Sequence, residues 1–205
     1  MTRDNRLLFG PLALIVFTLG ILILPLLVPG YDSVRQTVSE IGERTSPMRW
    51  PFAAMLWVVA ASVIVFASGL RAASINARHN ALSAWLTVWM AVAAAALGWF
   101  AFPHPLHNVF GQSELIGYQA PLAFALAWRK DPRAQAVVRF SWAMYVLVLV
   151  SLALNLTVLI RSGDIWNDIK PVYGLVQRSL FFCFFVWSAG AGWMLWRVRG
   201  VNEAA

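Results

Sequence analysis

LLFGPLALIVFTLGILILPLLV, Leu7–Val28, contains no charged side chain and no side-chain amide. A helix of roughly 20 such residues crosses a hydrocarbon core of about 30 Å, so the bilayer is the solvent for this segment. The stretch is longer than the core of a secretory signal, and no small-x-small cleavage site follows it, so it reads as a retained first span. Outward from it, Pro51–Leu70, Ala81–Phe102, Val137–Ile160 and Val172–Trp196 repeat the pattern, and a shorter sixth stretch runs Ser113–Trp128. The sequence therefore predicts an all-α fold, an integral membrane six-helix bundle with short interfacial helices in its outer loops. Residues 1–205 read as a single transmembrane domain, with cap loops at 30–50 and 161–171.

Composition agrees with this reading. Of the 205 residues, 60% are hydrophobic and 12% charged, with a mean hydropathy of +0.67. A soluble fold of that composition would need a larger core than the chain can enclose. The formal charge of +7 would suggest nucleic acid in a soluble protein. Here it fits loops facing anionic lipid, and no nucleic-acid motif is present. Cys183, the one cysteine, lies among Phe181, Phe182, Phe184 and Phe185. That excludes an intramolecular disulfide and leaves apolar filling as its role.

Basic residues orient the bundle. The N-terminus, the second and fourth loops and the tail hold ten (Arg3, Arg6, Arg71, Arg78, Arg129, Lys130, Arg133, Arg139, Arg197, Arg199), against five in the other loops (Arg35, Arg44, Arg49, Arg161, Lys170). Both termini are expected in the cytoplasm and the chain in the inner membrane as a multi-pass protein. The opposite, outer face then collects Tyr31, Asp32, Glu40, Glu43, His104, His107, Glu114, Tyr118, Gln119, Asp164 and Asp168. A functional site belongs there.

Local signals refine the picture. Ser46 before Pro47, Asn80 before Ala81 and Asp131 before Pro132 read as helix caps or proline-first starts. Val34, Val38 and Ile41 recur at helical spacing in the first outer loop, which predicts a short amphipathic helix. Gly42 is expected to end it in a left-handed conformation, with Ser39 or Glu40 satisfying backbone donors. Ile165, Trp166 and Ile169 repeat the theme in the fifth loop. Pro25 predicts a bend near the end of the first span, and Asn155 an interhelical hydrogen bond. Ala93–Ala96 and Ala189–Gly192 are small-residue surfaces suited to close packing.

The run LVPGYDSVRQTVSEIGERTSP, Leu27–Pro47, together with Phe102-Pro103 and Gly174-Leu175-Val176-Gln177-Arg178, resembles the uncharacterised bacterial and archaeal membrane family called domain of unknown function 998. The resemblance covers nearly the whole chain and implies the six-span architecture, but no activity. It also implies an acidic residue soon after the Phe-Pro pair and a histidine near the following helix. Here His104 follows Pro103 directly, then His107, and Gly117-Tyr118-Gln119 stands where the later histidine is expected, a departure that weakens any metal site the resemblance would transfer.

Three chemistries compete for the outer residues. Arg178, set below the membrane surface beside Gln177, needs water, a carboxylate or an anionic headgroup. Its expected internal partners are Glu40, Glu43 and Glu114, in a latch between the first loop and the last span. With Gln177 and Tyr118 these residues form the expected ligand-binding set for a lipid, a lipid-linked molecule or a membrane-protein partner at the outer leaflet. Alternatively His104, His107 and Asp168 would hold a divalent metal such as zinc for lipid hydrolysis, although no specific ligand spacing is present. The third reading is an accessory subunit without chemistry of its own, so whether the protein is an enzyme stays open. No Walker motif, serine-hydrolase elbow or haem-binding histidine pair occurs.

Overall fold

Hydrocarbon offers no partner for backbone N–H and C=O groups, so each apolar stretch must satisfy its own by helix formation. The structure, a computed structural model, describes residues 4–201, and these contain helices and no strand. Arg3 and the side chain of Arg199, two of the basic residues used above for orientation, lie outside the described residues.

Five helical segments are long and apolar enough to span a membrane: Asn5–Leu27, Arg49–Asn76, Leu82–Trp99, Pro132–Leu159 and Gly163–Val198. Their regular cores are α1 (Phe9–Ile23), α3 (Arg49–Asn76), α4 (Leu82–Trp99), α7 (Gln135–Leu156) and α9 (Tyr173–Val201). The protein is a multi-pass helical membrane protein. The expected sixth span is divided, with α5 (Pro105–Gly117) and α6 (Ala120–Trp128) meeting at Tyr118 and Gln119. Pro121 has no N–H, so it suits the first turn of a new helix and not the interior of an old one. Two one-to-two-turn helices, α2 (Val38–Ile41) and α8 (Gly163–Ile169), lie in the first and fifth loops.

Neighbour contacts close the segments into a ring, running α1, α3, α4, then α5 with α6, then α7, α9 and back to α1. Phe66, Tyr118, Phe124, Phe184 and Trp187 fill its centre and are almost wholly buried. The indole of Trp187 donates to Ser141 Oγ at 2.9 Å, which relieves the one polar atom of the largest core residue. α1 and α9 approach closely enough that a Cβ on Gly10 would overlap the Ser188 carbonyl, and one on Gly192 the Leu7 carbonyl. The small-residue surface of the last span therefore packs on the start of the first.

Asp131 forms the expected cap, whereas Ser46 and Asn80 accept hydrogen bonds one or two residues ahead of the N-cap positions of α3 and α4. Ser46 Oγ accepts from Met48 N–H at 3.1 Å, Asn80 Oδ1 from Leu82 N–H at 2.7 Å, and Asp131 Oδ1 from Arg133 N–H at 3.0 Å. Pro25 sits in the 3-10 turn Leu24–Leu27 that ends α1. Gly42 departs from expectation, because its φ is −108°. It is glycine for clearance, since a Cβ there would lie within the ring of Phe52. α8 rests on its own flanking turns, with Trp166 edge-on to Tyr173 at 5.7 Å, so the first loop is the better-anchored of the two expected caps.

At the end away from α2, Asp131 also meets His79 Nε2 at 3.3 Å. Burial alone pushes its carboxyl up, but the hydrogen bonds from Arg133 and His79 outweigh it and hold the value below the ordinary one. A depressed carboxyl stabilises the fold above its unfolded value, near 3.9, and that contribution disappears as pH falls through the folded value. Asp131→Asn should therefore narrow its stability deficit relative to the parent as pH is lowered from 6 to 3, measured as unfolding midpoints in detergent. Gly10→Ala should cost about 1–3 kcal/mol by overpacking in the same assay. Gly111→Ala, whose Cβ would meet only Leu97 at 3.9 Å, should be near neutral.

Candidate functional site

The first loop carries backbone carbonyls that no helix satisfies, and the side of α9 is built to receive them. Asp32 Oδ1 accepts from Val34 N–H at 2.8 Å and Gln36 Oε1 from Asp32 N–H at 2.7 Å, which folds the loop into a tight turn. Arg178 Nη1 then donates to the carbonyls of Ser33 (2.8 Å), Gln36 (2.9 Å) and Gly174 (2.9 Å). Its Nη2 donates to the Tyr31 hydroxyl at 2.7 Å. Tyr31 in turn donates to the Thr37 carbonyl at 2.7 Å, and burial pushes its phenol up despite the Arg178 hydrogen bond, so it keeps its proton. Gln177 Oε1 accepts from Val38 N–H at 2.7 Å. A side chain on Gly174 would strike the carbonyls of Gln36, Ser33 and Val34. Gly174, Gln177 and Arg178 thus form one docking face for the loop.

The expected latch between the first loop and the last span is present with different chemistry. Arg178 meets carbonyls and a tyrosine, not Glu40, Glu43 or Glu114. Glu40 accepts from Thr37 N–H (2.6 Å) and its hydroxyl (2.7 Å) at the start of α2. Glu43 accepts from the Thr45 hydroxyl at 3.1 Å. Both carboxylates serve local turns, as the short-helix reading of Glu40 anticipated.

A second contact joins the loop to α5. His107 Nδ1 lies 2.7 Å from the Phe100 carbonyl, so that nitrogen carries the proton, and Nε2 lies 2.8 Å from Ser39 Oγ. In the neutral ring Nε2 is then the acceptor and Ser39 the donor. The loop is also held at Arg44, whose N–H donates to the Phe102 carbonyl at 2.9 Å. Ser39 and His107 border a cleft of about 460 Å³ between α5, α7 and α9, with Glu114, Tyr118, Asn155 and Gln177 among its polar lining and Leu152, Leu156 and Phe181 among its apolar lining. The same Ser39, His107, Glu114 and Tyr118 line a smaller enclosed space of about 30 Å³ deeper in the ring. The Tyr118 hydroxyl is buried with no hydrogen-bond partner, and Glu114, also buried, lies beside it. Asn155 donates to the Ser151 (2.8 Å) and Val176 (3.0 Å) carbonyls, the interhelical bond expected of it.

The three expected metal ligands do not converge. His104 Nδ1 accepts from Leu106 N–H at 3.1 Å, capping α5, and its ring lies by Phe100. His107 is committed to Ser39 and Phe100, and Asp168 is exposed on α8. Among the described residues no group of three or more His, Cys, Asp or Glu side chains could hold a metal ion. His104 and Arg178 nevertheless occupy the same end of the bundle, because Arg178 binds the first loop at Ser33 and Gln36 and His104 lies in the Phe102 turn to which Arg44 of that loop bonds. Sequence reading gave Ser39 only a local role. Its partner is 68 positions away, and no local spacing signals such a pair.

A family model described as Protein of unknown function (DUF998) matches residues 11–194. No curated protein and no solved structure matches the chain.

Removing the guanidinium strands buried carbonyls, and each hydrogen bond from a charged donor is worth about 1.5–3 kcal/mol. Arg178→Ala should lower the unfolding midpoint in detergent and open the 31–37 loop to limited proteolysis, whereas Arg133→Ala, exposed on the opposite end, should leave that loop protected and cost only the smaller contribution of its side-chain bond to Asp131. Arg178→Lys should recover only part of the loss, since an ammonium lacks the fork that reaches Tyr31 and the carbonyls together.

Proposed function

This chain belongs to the DUF998 family, and we propose that it recognises a lipid or a lipid-linked molecule in the cleft between α5, α7 and α9. The observation that carries the reading is the two-sided lining of that cleft. Its volume of about 460 Å³ falls in the range of small-molecule sites, roughly 300–1,000 Å³. Leu152 and Leu156 border it from α7, in a span only 17% buried within the protein, so an acyl chain in the cleft would continue into the bilayer. His107, Glu114 and Gln177 supply polar atoms for the other part of the molecule.

The buried carboxyl of Glu114 has Tyr118 as its polar neighbour. Glu114 also lines the cleft, so a ligand with a hydroxyl or amine donor would meet an acceptor there. Arg178 is not the headgroup receptor in this reading, because its donors hold the first loop. The excess of basic residues on the remote loops supports placing the cleft in the outer leaflet.

Purification in mild detergent followed by mass spectrometry of extracted lipid tests the proposal. The parent should retain a defined lipid class, and Leu156→Trp, which fills the cleft from an exposed position, should lose most of it. Glu114→Gln should shift the headgroup distribution. Identical lipid inventories in parent and Leu156→Trp would refute the reading.

A further inference from the structure

We propose that Ser39 and His107 are the nucleophile and general base of an acyl-transfer site that acts on carboxylic esters of lipids held in this cleft. The inference rests on the lipid-binding reading and adds chemistry to it.

Four observations meet at one place. Ser39 Oγ and His107 Nε2 are 2.8 Å apart, within the reach that proton abstraction requires. The Phe100 carbonyl, 2.7 Å from Nδ1, fixes the ring so that Nε2 presents its lone pair to Ser39, the orienting role that a third group plays in such sites. Both side chains border the cleft and the smaller space behind it. Tyr118 lines both spaces with its hydroxyl buried beside the Glu114 carboxyl, so a hydroxyl donor for an oxyanion stands in the same pocket.

The reaction follows from these positions. Ser39 Oγ bonds to the ester carbonyl carbon while its proton passes to His107 Nε2, and Tyr118 donates to the developing oxyanion. Collapse breaks the bond to the ester oxygen, and the departing alcohol takes the proton from His107. Water then attacks the acyl-serine, gives a proton to His107 and displaces Ser39, which recovers that proton as the fatty acid leaves. A second lipid hydroxyl in place of water would give acyl transfer by the same steps.

The test uses the full chain in detergent micelles with two probes: an alkyl fluorophosphonate, with the modified peptide located by mass spectrometry, and a fluorogenic medium-chain ester. Ser39 should be the labelled residue, and Ser39→Ala should abolish labelling while retaining bound lipid. Ester hydrolysis should fall at least 100-fold in Ser39→Ala and His107→Asn, a general base contributing about 10²–10⁴-fold. Tyr118→Phe should lower it at least 10-fold while Ser39 remains labelled by the fluorophosphonate. The parent rate should also decline toward acid pH as the imidazole protonates. Absence of labelling at Ser39, or hydrolysis unchanged in Ser39→Ala, overturns the proposal. If bound lipid persists in that case the binding reading stands, and if the parent holds no lipid either, both fail.

Discussion

A guanidinium cannot lie near a membrane interior without partners, and the carbonyls of an irregular loop cannot lie there without donors. Arg178 and residues 31–37 answer each other's requirement. The charge is dispersed over three backbone oxygens and a tyrosine hydroxyl, with no carboxylate in direct contact, so the loop is held by the one side chain whose planar fork can reach several acceptors at once. Gly174 lets the two backbones touch and Gln177 takes the remaining N–H of Val38. The rest of that end is arranged around this junction.

The junction sets where the chemistry can be. With residues 31–37 fixed on α9, α2 is brought over the ring and Ser39 is delivered to His107, while Arg44 ties the end of the loop to the Phe102 turn. His107 can face Ser39 because the chain between α4 and α5 turns at Phe102–Pro103 and starts α5 at Pro105. The division of the sixth span then places Glu114 and Tyr118 on its upper half, at the margin of a cleft whose other wall is the lipid-facing α7. The first loop, α5, α7 and α9 therefore contribute to one cleft with both polar and apolar lining.

The spans were legible because apolar length is a direct consequence of bilayer thickness, and Asp131 was legible as a cap because capping is a contact between near neighbours. The division of Ser113–Trp128 was less so, since Gly117, Gln119 and Pro121 interrupt the helix without lowering hydropathy much. Arg178 stood out as a buried charge, but its partners did not, because backbone carbonyls have no signature in sequence and carboxylates do. Gly42 was misread for a related reason: a glycine required by a ring packed against it looks the same in sequence as one required by a left-handed turn. Of the three blocks that carried the resemblance, Leu27–Pro47 and Gly174–Arg178 touch each other in the fold, and Phe102-Pro103 meets Arg44 of the first.

The partners in this closure stand 145 positions apart, which has a bearing on biosynthesis. Residues 31–37 leave the ribosome early, and their carbonyls must remain hydrated at the bilayer edge while four further helical stretches are made. Only when the last of them enters the membrane does the guanidinium become available. Sealing of that end therefore waits on the span that carries Arg178, and a nascent chain arrested before it would leave those carbonyls without their donor.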